Sequence, residues 1–288
     1  MSKKLLLVLY SMFCLVFISH VGLKASEDTL VIDDTPNSIE KTSISQINLS
    51  QAYSKAFEWI YSTAIITSYF DDGSFRQGFG LLLKDGFYLT SSELTYNAGL
   101  YPKKILAKMQ DDSAKPLICI AQLRLKAMDS NKGLALLKTT AFTDDYCNVR
   151  SESYYHKRIY DKYGKNIFSP TPTKKLINNG IYFPILEDVD TFGVGKIISF
   201  QESNQPKVNS KTKSYGYFLP SDAYGDFTFG KPYFSKNGEF LGIFSVIENP
   251  YTPILIKKEI VQDFICELKK KNIFIQRFLP NSCKNGGA

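Results

Sequence analysis

Short runs of β-branched and aromatic residues, separated by tight-turn signals, recur along most of this sequence. Asp85-Gly86 separates two such runs, and Asn237-Gly238 separates two more. Both dipeptides favour the turns of β-hairpins because their residues tolerate a left-handed backbone. The pattern therefore predicts many short antiparallel strands in an all-β barrel architecture.

The predicted strands are separated by a few segments of other character. Apolar residues at helical spacing predict a short helix over residues 49–60 and an amphipathic helix over residues 257–271. Residues 148–180 are polar and rich in tyrosine and lysine, and we expect them to form long loops. Residues 26–48 lack periodicity and are expected to be a flexible lead-in. The strands are predicted at residues 64–70, 78–83, 87–90, 105–110, 117–125, 134–139, 193–200, 214–219, 231–234, 240–246 and 254–256.

The first 25 residues have the three parts of a secretory signal peptide. Lys3 and Lys4 precede a mostly apolar run over residues 5–18, and smaller residues follow before the first acidic ones. This pattern predicts cleavage after Ala25 or Ser26 and a periplasmic location. An uncleaved anchor helix is the alternative, although the apolar run is marginal for crossing a bilayer.

The charge distribution argues against nucleic acid as a partner. The chain has 35 basic and 28 acidic residues, a net charge of +7. Removal of residues 1–25 removes three lysines and no acidic residue, so the excess falls to +4. The remaining charges are interspersed and form no sustained basic stripe, which a nucleic-acid-binding surface would need.

Four cysteines remain after the leader: Cys119, Cys147, Cys266 and Cys283. An even number of cysteines in an exported protein favours disulfide bonds. Proximity in the sequence suggests Cys119 with Cys147 and Cys266 with Cys283, one of the three pairings that four cysteines allow. A zinc site would need closely spaced cysteine or histidine ligands. The sequence has no such cluster, so we expect no metal and no other cofactor.

Four segments in a fixed order carry a resemblance to a known family. They are GFGLLLKDGFYLTSSEL (78–94), MDSNKGLALLKT (128–139), FTFGKPYFSKNGEFLGI (227–243) and ILIKKEIVQDFICELKKKNIFIQRFL (254–279). Together they resemble the protease domain of the HtrA/DegP family of trypsin-like serine proteases, over about residues 60–280. The resemblance implies a trypsin-like double β-barrel with a C-terminal α-helix over residues 49–280. Residues 281–288 would then be a tail, with no PDZ domain.

All three catalytic positions of that family are changed in this chain. The resemblance places Glu93 at the family's histidine, Gly133 at its aspartate and Phe229 at its serine. Phe229 has no nucleophilic atom, and a carboxylate at Glu93 is a weak base at neutral pH. His156 is the only histidine after the leader, in a segment expected to be a solvated loop, with pH sensing or metal binding as the alternative. Since Ser-His-Asp chemistry needs an imidazole beside the attacking oxygen, we assign no catalytic residue.

The loop around the former serine is changed as well. Lys231 stands where the family has a glycine, and it restricts the backbone freedom on which an oxyanion hole depends. Phe227, Phe229 and Tyr233 are expected to fill or cap the former active site, as an apolar plug or an apolar binding patch. The former oxyanion and cleft loop comprises Phe227, Thr228, Gly230 and Lys231.

Other candidate residues have a structural interpretation that we favour. Thr228 and Ser92 are possible substitute nucleophiles, but hydroxyls on turns more often bond to the backbone. Gly78 and Gly80 are expected to serve a strand rather than a phosphate loop, because no helix follows them. The lysines of residues 269–271 are expected to be a solvated helix end rather than a membrane patch.

The polar segment over residues 148–180 also contains a group of tyrosines. Amphipathic aromatic side chains in a loop are common at protein interfaces, and a packed loop is an equal alternative. The residues concerned are Tyr154, Tyr155, Tyr160 and Tyr163.

Three functions follow from this sequence, in order of preference. The first is a catalytically inactive pseudoprotease that acts as a periplasmic scaffold or protein-binding component. Inactive HtrA relatives are structural parts of bacterial flagellar motors, so the resemblance implies flagellar motor components as candidate partners. The second is an active or weakly active trypsin-like endopeptidase with rearranged catalytic residues, and the third is a periplasmic chaperone. We expect a protein partner, leave a homo-oligomer open, and expect no membrane span after signal cleavage.

Overall fold

The computed structural model describes residues 44–46, 55–112, 114–151, 154–168, 180–187, 190–197, 215–219, 228–248, 251–273 and 283. Strands predominate in this part of the chain, and both α-helices described there are short. Neither has the length and apolar character that crossing a bilayer requires. The strands are β1 (Ile44–Gln46), β2 (Thr63–Tyr69), β3 (Phe75–Leu83), β4 (Phe87–Ser91), β5 (Lys104–Asp111), β6 (Ala114–Asp129), β7 (Leu134–Thr143), β8 (Val149–Arg150), β9 (Ile181–Glu187), β10 (Thr191–Ile197), β11 (Gly216–Tyr217), β12 (Pro232–Phe234), β13 (Phe240–Glu248) and β14 (Tyr251–Lys257). The helices are α1 (Tyr154–Tyr163), α2 (Lys258–Lys270) and 3₁₀ helices at Lys55–Ser62, Lys84–Gly86 and Ser92–Leu94.

Six strands close into a barrel. The order is β4-β3-β2-β5-β6-β7, and β7 pairs back with β4, every pairing being antiparallel. One face of these strands contributes Ile66, Leu82 and Leu137 to a buried core. Helix α1 packs Ile159 and Tyr163 against the same core. The closed barrel and α1 are therefore held together by shared apolar burial.

The second sheet has seven strands in the order β1-β10-β9-β12-β13-β14-β11, again antiparallel. One of its cores includes Phe183, Tyr233 and Phe244. Another core is shared with the barrel: Leu81 and Leu136 meet Ile243 there, together with side chains of α2. This shared core brings the end of β4 next to β13, where the candidate site lies.

The expected all-β architecture with a C-terminal helix is confirmed, with one closed barrel and a second sheet. Both predicted hairpins form. Asp85 and Gly86, between β3 and β4, have φ of 62° and 70°, and Gly238, between β12 and β13, has φ of 74°. These are the left-handed conformations that Asp-Gly and Asn-Gly favour.

Several segments differ from the sequence expectation. The prediction of loops over residues 148–180 is wrong for Tyr154–Tyr163, which form α1 because Ile159 and Tyr163 share one buried face. Strand β9 was not expected. The helix expected at residues 49–60 is described only from Lys55, as a 3₁₀ helix. Residues 44–46 of the expected lead-in pair with β10, while the expected signal peptide and most of the lead-in and tail lie outside the described residues.

Both disulfide bonds suggested by sequence proximity are present. Cys119 of β6 bonds to Cys147 in the turn before β8. Cys266 of α2 bonds to Cys283. The two bonds thus join the barrel to its last turn, and α2 to the chain that follows it.

Candidate active site

The three positions that the resemblance assigns to the family's triad lie along the junction of the barrel and the second sheet. Glu93 follows β4, Gly133 precedes β7 and Phe229 precedes β12. The amide of Ser92 donates to the Gly133 carbonyl at 3.1 Å, and the Ser245 hydroxyl of β13 donates to the same carbonyl at 2.5 Å. These bonds hold the end of β4, the start of β7 and β13 together at one corner, which is the candidate site.

Glu93 is held by an arginine. The Arg76 guanidinium donates to the Glu93 backbone carbonyl at 2.6 Å and to its carboxylate at 3.2 Å. Glu93 is thus placed as an ion-pair partner rather than as a proton shuttle.

Gly133 occupies a position that has no room for a side chain. Its φ is +67°, and a Cβ atom there would lie well inside 3.0 Å of the Val246 carbonyl oxygen and 2.9 Å from the Ser245 hydroxyl. Real Cβ atoms essentially never approach another atom so closely. An aspartate at this position would require β13 to move.

The Phe229 ring occupies a half-buried position where the two parts of the fold meet. It stacks on Phe244 with ring centroids 6.2 Å apart and packs against both the barrel core and the core of the second sheet. Its carbonyl accepts from the Phe79 amide at 2.8 Å. Tyr233 is buried beside Phe183, at 5.1 Å between ring centroids. Phe227, the third ring expected here, lies outside the described residues.

The two amides that follow Phe229 are bonded within the fold. The Gly230 amide donates to the Phe244 carbonyl at 2.8 Å, and the Lys231 amide donates to the Thr228 carbonyl at 3.1 Å. Gly230 has φ of +79°, and a Cβ atom there would collide with the Phe79 carbonyl. This turn is packed against β3, and these two amides do not point to an open site.

Lys231 is buried, which the sequence did not suggest. Its ammonium lies over the rings of Phe79 and Phe183, at 5.2 and 5.4 Å from their centroids. Burial lowers the pKa of Lys231 to about 8. Cation–π contacts offset part of the desolvation cost of such a charge.

A pair of buried serines also escaped the sequence analysis. The Ser91 and Ser245 hydroxyls lie 2.6 Å apart, and Ser91 also accepts from the Glu93 amide at 3.1 Å. Both serines are fully buried. Their hydroxyls link β4, β13 and Gly133, so they stabilise the junction. Ordinary strand serines carry no pattern that would have predicted this pairing.

The glycines of β3 serve close packing. Gly78 and Gly80 lie within this strand, as expected. A Cβ atom on Gly78 would collide with the Phe229 carbonyl, and one on Gly80 would come within 2.8 Å of Ile66. The strand and the turn at Phe229 can therefore approach each other only because Gly78 has no side chain.

The hydroxyls considered as substitute nucleophiles are buried, and the histidine is elsewhere. Ser92 and Thr228 are both largely inaccessible to solvent. The expectation of a solvated loop for His156 is wrong: it is buried on α1, and its Nε2 lies 2.6 Å from the Thr143 carbonyl. Thr143 ends β7, whereas Gly133 precedes it, so about ten strand residues, roughly 30 Å, separate the two. His156 does not reach this corner.

Two tyrosines of helix α1, Tyr160 and Tyr163, are packed against the barrel. The Tyr160 hydroxyl accepts from the Tyr88 hydroxyl at 2.7 Å and lies 2.8 Å from the Thr139 hydroxyl. Burial raises the pKa of Tyr160 to about 12. Tyr163 bonds to the Asp112 carboxylate. The side chains of Tyr154 and Tyr155 lie outside the described residues. No group of His, Cys, Asp and Glu suited to a metal ion occurs among the side chains that the structure describes.

Comparison with known proteins found similarity only among solved structures. No family model matches the chain, and no curated protein matches it. The Rv3671c protease of Mycobacterium tuberculosis in its active form is similar with a TM-score of 0.48 and 11% identity, covering 83% of this chain and 92% of that one. An inactive serine-to-alanine mutant of the same protease is similar with a TM-score of 0.46 and 12% identity. The match covers 82% of this chain and 100% of the mutant. The serine endoprotease of Yersinia pestis is similar with a TM-score of 0.42 and 17% identity, and the match covers 76% of this chain and 67% of the endoprotease. These low values transfer no activity, substrate or site residue to this chain.

Proposed function

We propose that this protein is a catalytically inactive pseudoprotease that binds other proteins outside the cytoplasm. The observation that carries the proposal is the Phe229 ring, which packs between the two cores at the position that the resemblance assigns to the family's serine. Phenylalanine can neither attack a carbonyl carbon nor donate a proton. Loss of the nucleophile alone costs about a million-fold in turnover in a serine protease.

The surroundings of Phe229 support the same proposal. Proton transfer needs a group that alternates between acid and base near neutral pH, whereas Glu93 is paired with Arg76. The collision at Gly133 opposes an aspartate. Glu93, Gly133 and Phe229 each make a contact that stabilises the junction instead.

Two features support a role outside the cytoplasm. The chain has two disulfide bonds, which persist in oxidising compartments. Its first 25 residues have the pattern of a cleaved signal peptide. We propose a periplasmic scaffold whose partner is a protein of the cell envelope; flagellar motor components are the candidates that the family resemblance supplies.

A peptidase assay tests the inactive state. The exported protein is purified and incubated with casein and with a library of fluorogenic peptides, beside the Ser92→Ala and Thr228→Val variants. We expect no turnover above the buffer rate from any of the three proteins. Turnover by the wild type that either substitution abolishes would identify a rearranged active site and refute the proposal.

The binding role is tested separately. The exported protein is cross-linked within the cell envelope and recovered under denaturing conditions, with an exported protein of unrelated fold as the control. We expect a defined envelope protein at near-stoichiometric yield, absent from the control. Recovery of the same background from both proteins would contradict a scaffold role.

A further inference from the structure

Five exposed aromatic side chains lie outside the corner described above. Their exposed fractions range from 37% to 63%, whereas most aromatic side chains in the described part of the chain are buried or half-buried. We call this group the aromatic patch. Its members are Tyr69, Phe75, Tyr96, Tyr101 and Tyr251.

The patch is built from neighbouring pairs on the barrel. Tyr69 and Phe75 are directly opposite each other on β2 and β3, with ring centroids 6.3 Å apart. Tyr96 and Tyr101 flank a short turn between β4 and β5, with ring centroids 5.5 Å apart. The members of each pair therefore share one face.

Hydrogen bonds connect the segments that carry the two pairs. Tyr251 of the second sheet lies near charged groups of the same region. Asn97 donates from its side-chain amide to the Ser74 hydroxyl at 3.1 Å and accepts from Arg76 at 2.9 Å. Arg76 also pairs with Glu93, and Tyr251 lies close enough to Arg76 and Glu93 for both charges to act on its pKa. Asn97 thus ties together the two segments that carry the ring pairs, at the end of the barrel where β2 ends and β3 begins, and Tyr251 lies near Arg76.

The exposed area of the rings equals that of the largest apolar patch expected on a monomer. With about 150–250 Å² for each aromatic side chain, the exposed fractions correspond to roughly 400–600 Å². The largest apolar patch of a typical monomer is about 300–600 Å², and each partner of a standard interface contributes about 800 Å². The rings alone would supply more than half of one side of such an interface.

The charges beside the patch are balanced in sign, which decides what kind of partner fits. Lys103 and Asp71 form an ion pair at 3.7 Å, and their side chains are 55% and 75% exposed. The adjacent residues Lys104 and Asp72 are exposed as well. A partner of one charge sign would meet as many like charges as opposite ones. A two-fold contact between identical surfaces can instead place each lysine near an aspartate of the other copy.

We propose that the aromatic patch is the contact surface of a symmetric dimer of this protein. Tyrosine, phenylalanine and arginine at the centre, with paired charges at the rim, have the composition of a protein–protein interface. The dimer does not depend on the loss of catalysis. It would give a scaffold two copies of every other binding surface.

Sedimentation over a range of concentrations tests the dimer. The exported protein is compared with Phe75→Glu and Tyr251→Glu, and with Tyr146→Glu as the control, since Tyr146 is 88% exposed but not in the patch. We expect the wild type and the control to dimerise, and each patch variant to raise the dissociation constant at least tenfold. Circular dichroism should show the same fold for all four proteins, because each substituted residue is exposed.

Cross-linking gives a second measurement on the unmodified protein. In a mixture of isotopically light and heavy chains, we expect links from Lys103 or Lys104 of one copy to the same lysines of the other. A wild type that remains monomeric at every concentration overturns the proposal. A dimer that survives both patch substitutions, or whose cross-links avoid these lysines, overturns it as well.

Discussion

Gly133 packs so tightly against the Val246 carbonyl that no side chain has room between them. The left-handed φ of Gly133 adds a second obstacle to any other residue. The Gly133 carbonyl accepts hydrogen bonds from the Ser92 amide and the Ser245 hydroxyl. The requirement for glycine at this position is therefore built into the contact between the barrel and the second sheet.

Substitution of Gly133 should reveal this contact as a loss of stability. We expect Gly133→Ala to lower the free energy of unfolding by about 2–4 kcal/mol, because the backbone is left-handed and the added methyl group collides with β13. Gly99→Ala is the matched control: its φ of +92° is also positive, but a Cβ atom there has no neighbour within 4 Å. Urea denaturation of both variants measures the difference. Equal losses would show that only the backbone conformation matters.

Restoring a serine should not restore catalysis. We expect Phe229→Ser to show no peptidase activity, since neither Glu93 nor His156 is placed to accept the serine proton. The variant should also lose about 1–3 kcal/mol of stability, because a half-buried ring is removed from two cores. Phe75→Ser, measured at concentrations where the chain is monomeric, should lose little because Phe75 is exposed. Peptide turnover by Phe229→Ser would mean that a competent base is present.

Lys231 should make stability depend on pH. Its pKa of about 8 in the folded protein lies below the ordinary value of 10.5, so the unfolded chain binds the proton more tightly. The burial of Lys231 therefore destabilises the folded protein fully below about pH 8, and this destabilisation disappears as the pH rises towards 10.5. We expect Lys231→Met to raise the free energy of unfolding by up to ~3 kcal/mol at pH 7 and by much less near pH 10.5.

Comparison with an exposed lysine isolates the effect of burial. Lys236→Met changes a lysine that is exposed in the hairpin between β12 and β13. It should change stability little at either pH. A Lys231→Met variant whose stability gain is independent of pH would show that Lys231 keeps its ordinary pKa in the folded protein.

Each disulfide should contribute comparably to stability. The bonded cysteines are 28 and 17 residues apart in the sequence. A disulfide reduces the entropy of the unfolded chain by an amount that depends on loop length, and for loops of these lengths the expected stabilisation is about 3–4 kcal/mol for each bond. We expect Cys119→Ala with Cys147→Ala, and Cys266→Ala with Cys283→Ala, each to lower the free energy of unfolding by roughly this amount. Thiol titration of the denatured wild type should find no reactive thiol among these four residues; a free pair would contradict the assigned bonds.

The sequence predicts local hairpins better than it predicts the junction. Asp85-Gly86 and Asn237-Gly238 determine their turns by backbone preference, which is a property of a few adjacent residues. The amphipathic face of α2 is equally local. Helix α1 was missed because most of its residues are polar or aromatic, and its burial against the barrel is revealed only by the tertiary fold.

The candidate site shows the same division. The absence of a nucleophile at Phe229 is visible in the sequence, since side-chain chemistry does not depend on the fold. The close approach of Gly133 to Val246, the serine pair Ser91–Ser245 and the burial of Lys231 join residues that are distant in the sequence. Such contacts leave no periodic pattern, so only the assembled structure reveals them.

Labelling with a fluorophosphonate tests the loss of catalysis most directly, because this reagent forms a covalent bond with an activated serine or threonine hydroxyl. The exported protein is incubated with the reagent beside trypsin as a positive control, and the intact mass of each protein is measured. We predict that trypsin gains one adduct and that this protein keeps its unmodified mass, both as the wild type and as Phe229→Ser. A single stoichiometric adduct on the folded wild type, lost on denaturation before labelling, would contradict the inactive state.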